Sequence, residues 1–145
     1  MAYALGSTGH LALIGSMMDN RTFKEYLAGL RTFIFDLERV FTDNRVQLVT
    51  EVYLGIPDKL RSFEQLRASS DLDPATTAYM GDDIPDLHVM ARVAFPCCLG
   101  DAAKEVKAIC AFISRSAGGR GCARDLPEQV LKVQGRWLTT RSYMW

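Results

Sequence analysis

The sequence has few histidines, no excess of either charge and no long apolar run. It contains 2 histidines, and its 17 lysines and arginines balance its 17 aspartates and glutamates. Nucleic-acid-binding proteins usually present a basic surface to the phosphate backbone, so this balance argues against that class. A membrane-spanning helix needs about 20 consecutive apolar residues, and no stretch of the sequence approaches that length. With 48% hydrophobic residues, the chain is typical of a globular domain without nucleic-acid or membrane partners.

Cysteine is scarce and lacks the spacing of a metal or redox site. The four cysteines are Cys97, Cys98, Cys110 and Cys122, and no two of them form a C-x-x-C pair. A chain of this length should bury roughly two-thirds of the surface that its unfolded form exposes, so it needs no disulfides to stabilise a core. We therefore expect reduced, packed thiols and a cytoplasmic location.

The N-terminal residues do not have the pattern of a targeting signal. Residues 11–18 are apolar, but the first basic residue of the chain is Arg21. A secretory signal carries its basic residues before the apolar stretch. We interpret residues 1–18 as an N-terminal extension and residues 19–145 as one domain.

Helical periodicity and short apolar runs alternate along the rest of the chain. The apolar spacing predicts helices over residues 21–30, 57–68, 86–93, 102–108 and 126–133. The intervening runs predict strands over residues 32–36, 45–49, 51–54, 76–80, 94–99 and 111–114. We expect Thr22 to cap the first helix and Pro57 to begin the second. The alternation predicts an α/β fold, a mostly parallel sheet flanked by helices, with a ligand crevice at the carboxyl ends of the strands.

Charged residues follow several of these predicted strands. Asp36 ends the first strand, Asp82 and Asp83 follow residues 76–80 through a glycine, and Lys59 lies near the start of a helix. Clustered carboxylates are hard oxygen ligands suited to Mg²⁺, and an aspartate in that setting can attack phosphorus. Taken singly, however, an acidic turn of this kind is more often a helix N-cap or a solvated loop than a ligand.

Four segments carry a resemblance to a known family. They are F-D-L-E-R-V-F-T-D at 35–43, D-K-L at 58–60, Y-M-G-D-D-I-P-D at 79–86 and A-G-G-R-G-C-A-R at 117–124. Over about residues 31–137 the chain resembles the haloacid dehalogenase-like (HAD) phosphatases, specifically the capless 3-deoxy-D-manno-octulosonate 8-phosphate (KDO 8-phosphate) phosphatases and their 9-phosphate relatives. The resemblance implies a Rossmann-like core, Mg²⁺ as cofactor, a sugar-acid phosphate as substrate, a homotetramer and a place in lipopolysaccharide biosynthesis.

The resemblance also implies roles for the residues of the first two acidic segments. Asp36 matches the nucleophile, which also binds Mg²⁺. Glu38 matches the general acid and base, and we include it among the metal ligands. Asp82 matches the second metal carboxylate, and Lys59 matches the lysine that binds the phosphate and the nucleophile.

The remaining matched residues are implied to orient the site and to bind the sugar. Asp83 and Asp86 match acidic residues that orient the metal ligands. Arg120 matches a group that meets the carboxylate of the sugar acid, a role that suits the planar, bidentate guanidinium. Gly118 and Gly119 belong to the same substrate-binding loop.

The chain departs from the family in two places. The first motif normally reads D-x-D-G, whereas here Glu38 and Arg39 stand in place of the second aspartate and the glycine. Only 22 residues separate Asp36 from Lys59, and the family normally fits a further core strand, ending in a phosphate-binding serine or threonine, into that interval. We therefore expect one core strand segment to be missing, so that residues 52–54 pair beside residues 33–35 or residues 46–54 pair with another subunit. The alternative function is a catalytically impaired, phosphatase-like oligomeric scaffold or an internally deleted product.

Overall fold

A parallel β-sheet of four strands forms the centre of the protein. The computed structural model describes residues 21–36 and 57–138. The strands are β1 (Thr32–Phe35), β2 (Thr77–Gly81), β3 (Phe95–Cys98) and β4 (Phe112–Ile113), and they lie side by side in the order β1-β2-β3-β4. Every pairing in this sheet is parallel, and helices flank it, so the predicted α/β fold is confirmed. Within residues 57–138 no additional domain interrupts the alternation of strands and helices.

The first two helices begin at side-chain caps. Helix α1 (Phe23–Gly29) follows Thr22, whose hydroxyl accepts a hydrogen bond from the backbone N–H of Glu25, and this confirms the predicted cap. Helix α2 (Lys59–Ser69) follows Asp58, whose carboxylate accepts from the N–H of Arg61 at 3.0 Å. The prediction that Pro57 begins this helix is therefore wrong, because the aspartate after it is the N-cap and accepts from one of the free N–H groups of the first turn.

The later helices differ in length from the predicted ones. A 3₁₀ turn (Ile84–Asp86) leads into α3 (Leu87–Met90), and α4 spans only Lys104–Lys107, so both helices are shorter than predicted. Helix α5 (Cys122–Val133) begins four residues before the predicted start at Leu126. Gly121 precedes it with a φ of 97°, a left-handed conformation that lets the chain turn directly from the loop into the helix.

The hydrophobic core surrounds the two central strands. All residues of β2 and β3 are buried, which is typical of parallel strands covered on both faces. The largest fully buried side chains are Phe95, Leu27, Met80, Met90, Leu99 and Leu126. The four cysteines are free thiols, and three of them are buried. None of the helices in residues 21–36 and 57–138 is long and apolar enough to cross a membrane.

Some predicted features fall outside this part of the chain. The N-terminal extension over residues 1–18, the two strands over residues 45–49 and 51–54, and Glu38 all lie outside the described residues. The choice between the two predicted pairings of residues 46–54 lies there too.

Candidate active site

The strands end level with one another, so the segments that follow them meet at one edge of the sheet. Phe35 pairs with Met80, Gly81 with Cys98, and Cys98 with Ile113. Asp36 continues the alignment, because its N–H donates to the carbonyl of Met80 at 2.9 Å. Asp36, Asp82 and the loop after β4 therefore lie at the carboxyl edge, where open α/β sheets bind their ligands.

A lysine joins two of the carboxylates at this edge. Nζ of Lys59 lies 2.7 Å from Oδ2 of Asp36 and 2.8 Å from Oδ1 of Asp86. The side chains of Lys59 and Asp36 are 25% and 15% exposed, whereas that of Asp86 is completely buried. Together with Asp82, these residues form what we call the acid–lysine cluster. Helix α2 presents Lys59 from its first residue, and the segments that follow β1 and β2 present the carboxylates.

The carboxylate of Asp86 accepts four hydrogen bonds. Its Oδ1 accepts from Lys59 and from the hydroxyl of Tyr79, which lies 2.7 Å away. Its Oδ2 accepts from the backbone N–H groups of Asp82 at 3.0 Å and Asp83 at 3.1 Å. A carboxylate offers about four lone-pair sites, so these donors occupy Asp86 fully. The residue therefore connects the loop after β2 to β2 itself and to α2.

Lys59 and Tyr79, the two side chains that donate to Asp86, have shifted pKa values. Burial by itself lowers the pKa of Lys59, but hydrogen bonds and charge from Asp36 and Asp86 outweigh it, so this pKa lies above its usual value. Burial, and next the negative charge of Asp86, raise the pKa of Tyr79 well above that of a free phenol. Lys59 is therefore cationic and Tyr79 is a neutral donor at neutral pH.

Gly81 allows this close arrangement. A Cβ atom added at Gly81 would lie 2.5 Å from Oδ2 and 2.7 Å from Cβ of Asp86. These separations are shorter than any non-bonded contact between such atoms, so a side chain at position 81 would displace Asp86. The glycine is required here by the close approach of a side chain, since its φ is not left-handed.

Three carboxylates of the cluster are close enough together to bind one metal ion. One oxygen atom from each of Asp36, Asp82 and Asp86 lies within 4.8 Å of the others. Asp82 is 3% exposed, and its backbone carbonyl accepts from the N–H of Ala103 at 2.8 Å, which ties the loop after β2 to the start of α4. An all-oxygen donor set of this kind suits Mg²⁺ or Ca²⁺ and does not suit a metal that prefers sulfur or nitrogen.

The side chain of Asp83 lies in a different environment from those of Asp82 and Asp86. Its side chain is exposed, and Oδ1 accepts from the N–H of Ile84 at 2.8 Å, so its carboxylate caps the 3₁₀ turn. Its backbone N–H is one of the four donors to Asp86. The structure thus connects Asp83 to the cluster through its main chain.

A second element at the carboxyl edge is the glycine loop, residues 114–121 after β4. The buried hydroxyl of Ser114 donates to Oδ2 of Asp125 at 2.9 Å, and the N–H of Gly118 donates to Oδ1 of Asp101 at 3.0 Å. Gly119 has a φ of 64°, which a residue with a side chain rarely adopts. The side chain of Arg120, between two such glycines, is exposed.

The structure therefore brings four of the predicted site residues together and separates three others from them. Asp36, Lys59, Asp82 and Asp86 form the acid–lysine cluster. The predicted substrate-binding residues Gly118, Gly119 and Arg120 lie in the glycine loop, two strands away from β2. Glu38 lies outside the described residues.

Sequence reasoning missed Tyr79. It lies in the middle of a buried strand, where an aromatic residue is normally part of the core, and only its hydroxyl distinguishes it from an apolar core residue. One rule could have identified it: the hydroxyl of a buried tyrosine needs a hydrogen-bond acceptor. Asp86, seven residues later in a strand–turn–helix segment, is such an acceptor.

Comparison with known proteins agrees with this geometry. The sequence profile of the haloacid dehalogenase-like hydrolases matches residues 20–126. The 3-deoxy-D-manno-octulosonate 8-phosphate phosphatases of Yersinia pestis and of Escherichia coli K12 are each 33% identical to the chain over 88 residues. These matches cover 61% of this chain and 47% of each relative, so the chain spans about half the length of the curated relatives it matches.

Solved structures show the same fold. The Yersinia pestis phosphatase superimposes with a TM-score of 0.70 and 23% identity, covering 78% of this chain and 86% of that one. A phosphatase of the same name from Moraxella catarrhalis, in complex with magnesium, phosphate and KDO, superimposes with a TM-score of 0.67 and 18% identity, covering 84% and 97%. The chain therefore belongs to the haloacid dehalogenase-like hydrolase family, and within it the chain is similar to the 3-deoxy-D-manno-octulosonate 8-phosphate phosphatases.

Proposed function

We propose that the protein is a Mg²⁺-dependent phosphomonoester hydrolase with Asp36 as its nucleophile. The observation that carries the proposal is the ammonium of Lys59, which lies 2.7 Å from Asp36 and 2.8 Å from the fully buried Asp86. A cation held beside a nucleophilic carboxylate can bind the phosphoryl group and offset its negative charge as the reaction proceeds. The position of these residues at the carboxyl edge, where open α/β sheets bind their ligands, supports the proposal.

We assign Asp36, Glu38 and Asp82 as the residues that would hold Mg²⁺, because all three supply oxygen ligands of the kind that Mg²⁺ prefers. The four hydrogen bonds to Asp86 leave its oxygens no free lone pair, so we assign Asp86 to positioning Lys59 and the loop after β2. Bound Mg²⁺ would supply charge neutralisation at the phosphoryl oxygens.

The reaction follows as two displacements at phosphorus. In the first, a carboxylate oxygen of Asp36 forms a bond to phosphorus while the bond to the sugar oxygen breaks, and Glu38 gives a proton to that leaving oxygen. In the second, Glu38 takes a proton from water, the water oxygen attacks phosphorus, and the bond to Asp36 breaks to release inorganic phosphate. Lys59 remains cationic throughout and balances part of the phosphoryl charge.

The proposed substrate class is a 3-deoxy-2-ulosonic acid phosphate, either KDO 8-phosphate or a related 9-phosphate. The similarity to phosphatases of that name supports it. Arg120 would pair with the sugar carboxylate, and the backbone of Gly118 and Gly119 would shape the loop that presents it. An exposed guanidinium at the carboxyl edge is suited to bidentate binding of a carboxylate.

Two further expectations concern the oligomeric state and the cellular location. A homotetramer remains a prediction from the resemblance. The free state of all four cysteines supports a reducing compartment such as the cytoplasm, where thiols are kept reduced.

A second candidate function is a catalytically impaired scaffold, which a specific feature of the chain favours. The interval of 22 residues between Asp36 and Lys59 is short for a segment that must supply the phosphate-binding hydroxyl of the family. Glu38 also extends the general acid by one methylene relative to aspartate, and a displacement of about 1 Å can lower a rate on the order of 100-fold.

Phosphate release from KDO 8-phosphate, with and without Mg²⁺, distinguishes the two candidates. We expect Mg²⁺-dependent release that falls by roughly a thousandfold or more in Asp36→Asn, because an amide oxygen cannot act as the nucleophile. Asp58→Asn is the matched control, since this exposed N-cap lies outside the cluster and an asparagine can also cap a helix. If the folded wild-type chain releases phosphate no faster than Asp36→Asn, the proposed hydrolase is contradicted and the scaffold is the remaining candidate.

A further inference from the structure

A buried phenol contacts the acid–lysine cluster from inside the sheet. Tyr79, in the middle of β2, is 5% exposed, and its hydroxyl donates to Oδ1 of Asp86 at 2.7 Å. The same oxygen accepts from Nζ of Lys59 at 2.8 Å. Tyr79 and Lys59 thus share one acceptor oxygen.

We propose that Tyr79 is a positioning residue that sets where Lys59 holds its ammonium group. The inference deepens the proposed hydrolase and rests on it for its catalytic consequence, whereas its geometric part concerns the folded protein alone. It assigns to the hydroxyl of Tyr79 a function beyond satisfying a buried carboxylate.

The hydrogen bonds around Asp86 explain how this control operates. Two backbone N–H groups fix Oδ2, so the plane of the carboxylate is set by the loop after β2. The hydroxyl of Tyr79 then occupies one of the two lone pairs of Oδ1 and leaves the other, which points toward α2, for Lys59. Because lysine has a flexible four-carbon stem, the direction of that remaining lone pair decides where its ammonium lies.

The hydroxyl of Tyr79 also affects the position of Lys59 through the negative charge on Asp86. Hydrogen bonding from a neutral phenol withdraws negative charge from Oδ1, so Asp86 attracts Lys59 less strongly than an unbonded carboxylate would. Lys59 is therefore shared between Asp86 and Asp36, at 2.8 and 2.7 Å. Without the hydroxyl, Lys59 would move toward Asp86 and away from the nucleophile.

The test compares Tyr79→Phe with Val130→Ala in the full chain. Tyr79→Phe removes one hydroxyl, whereas Val130→Ala perturbs a buried residue of α5, the helix that packs against α1. The first readout is the NMR resonance of the Lys59 side-chain ammonium and its neighbouring methylene in metal-free protein. The chain has five lysines, and Lys59→Arg identifies the resonance by its loss.

We expect the Lys59 resonance to shift in Tyr79→Phe and to stay unchanged in Val130→Ala. With KDO 8-phosphate and Mg²⁺, we expect kcat of Tyr79→Phe to fall about tenfold while KM changes by less than about twofold, because the lysine acts mainly on the charge that develops in the transition state. Val130→Ala should keep both constants when equal amounts of folded protein are compared.

Two results would overturn the inference: a Lys59 resonance unmoved in folded Tyr79→Phe, or a moved resonance with an unchanged kcat. A wild-type chain that releases no phosphate would contradict the proposed hydrolase instead, and the resonance would still decide whether Tyr79 positions Lys59. If Tyr79→Phe does not fold, the wild-type chain labelled with 3-fluorotyrosine replaces it. Fluorination makes the phenol a stronger donor, so the resonance should move in the opposite direction, and an unmoved resonance would overturn the inference.

Discussion

The acid–lysine cluster and the glycine loop lie at the same edge of the sheet but are held in different ways. In the cluster, charged side chains bind one another, and Asp86 is completely buried with four donors. In the glycine loop, the backbone N–H groups of Arg115 and Gly118 donate to Asp125 and Asp101, and Arg120 is exposed. The lysine and the nucleophile proposed for chemistry are therefore linked to a fully buried carboxylate, whereas the arginine proposed for recognition is exposed.

The largest loss of stability is expected from Asp86→Ala, in the acid–lysine cluster. The change leaves two backbone N–H groups and the hydroxyl of Tyr79 without their acceptor, and we expect the free energy of unfolding to fall by about 3–5 kcal/mol. Urea unfolding measures it. The matched control is Asp58→Ala, which removes an exposed N-cap carboxylate and should cost about 1 kcal/mol. Equal losses in the two variants would show that Asp86 has no special structural role.

A smaller loss of stability is expected from Gly81→Ala. A methyl group at position 81 would collide with the side chain of Asp86, and crowding of this kind typically costs about 1–3 kcal/mol. Because Asp86 must move, kcat should fall as well.

Gly29→Ala is the control for that substitution. At Gly29 an added Cβ meets no atom within 4 Å, and the φ is not left-handed. Alanine there should be neutral or stabilise the fold by about 0.4–1 kcal/mol. Thermal unfolding of both variants checks the pair, and a Gly81→Ala protein as stable as Gly29→Ala would contradict the close approach of Asp86.

The smallest effect on stability is expected in the glycine loop, from Arg120→Lys. Because Arg120 is exposed, we expect the free energy of unfolding to change by less than about 0.5 kcal/mol. Lysine keeps the charge but loses the planar, bidentate fork, so KM for KDO 8-phosphate should rise by roughly tenfold with little change in kcat. Steady-state kinetics measure this, with Arg67→Lys on α2 as the control. A fall in kcat at constant KM would place Arg120 with the catalytic groups and so remove the contrast between the two regions.

Much of the fold could be predicted from the sequence because its determinants are local. The capping of α1 by Thr22 and the apolar runs that became β1 to β4 depend on residues that are neighbours along the chain. The ends of elements were less predictable. The start of α2 was misplaced at Pro57 because the deciding hydrogen bond, from Arg61 to Asp58, competes with an equally plausible proline start.

The candidate site shows the same division. Asp36, Lys59 and the acidic turn after β2 could be placed at the carboxyl edge from their positions after predicted strands. The part played by Asp83 could not, because its carboxylate caps a 3₁₀ turn and only its main chain joins the cluster. Tyr79 could not be recognised either, since only the folded chain brings its hydroxyl within 2.7 Å of Asp86.

Within residues 21–36 and 57–138, the sequence by itself determined the order of strands and helices, the candidate nucleophile and the charged residues at the strand ends, because the periodicity and the motifs are local patterns. Only the tertiary structure decided which two carboxylates hold the lysine, which carboxylate caps a turn, and which buried hydroxyl donates to Asp86. Those relations are hydrogen bonds between β1, β2, α2 and the loop after β2, and their geometry exists only once the register of the parallel strands has been fixed.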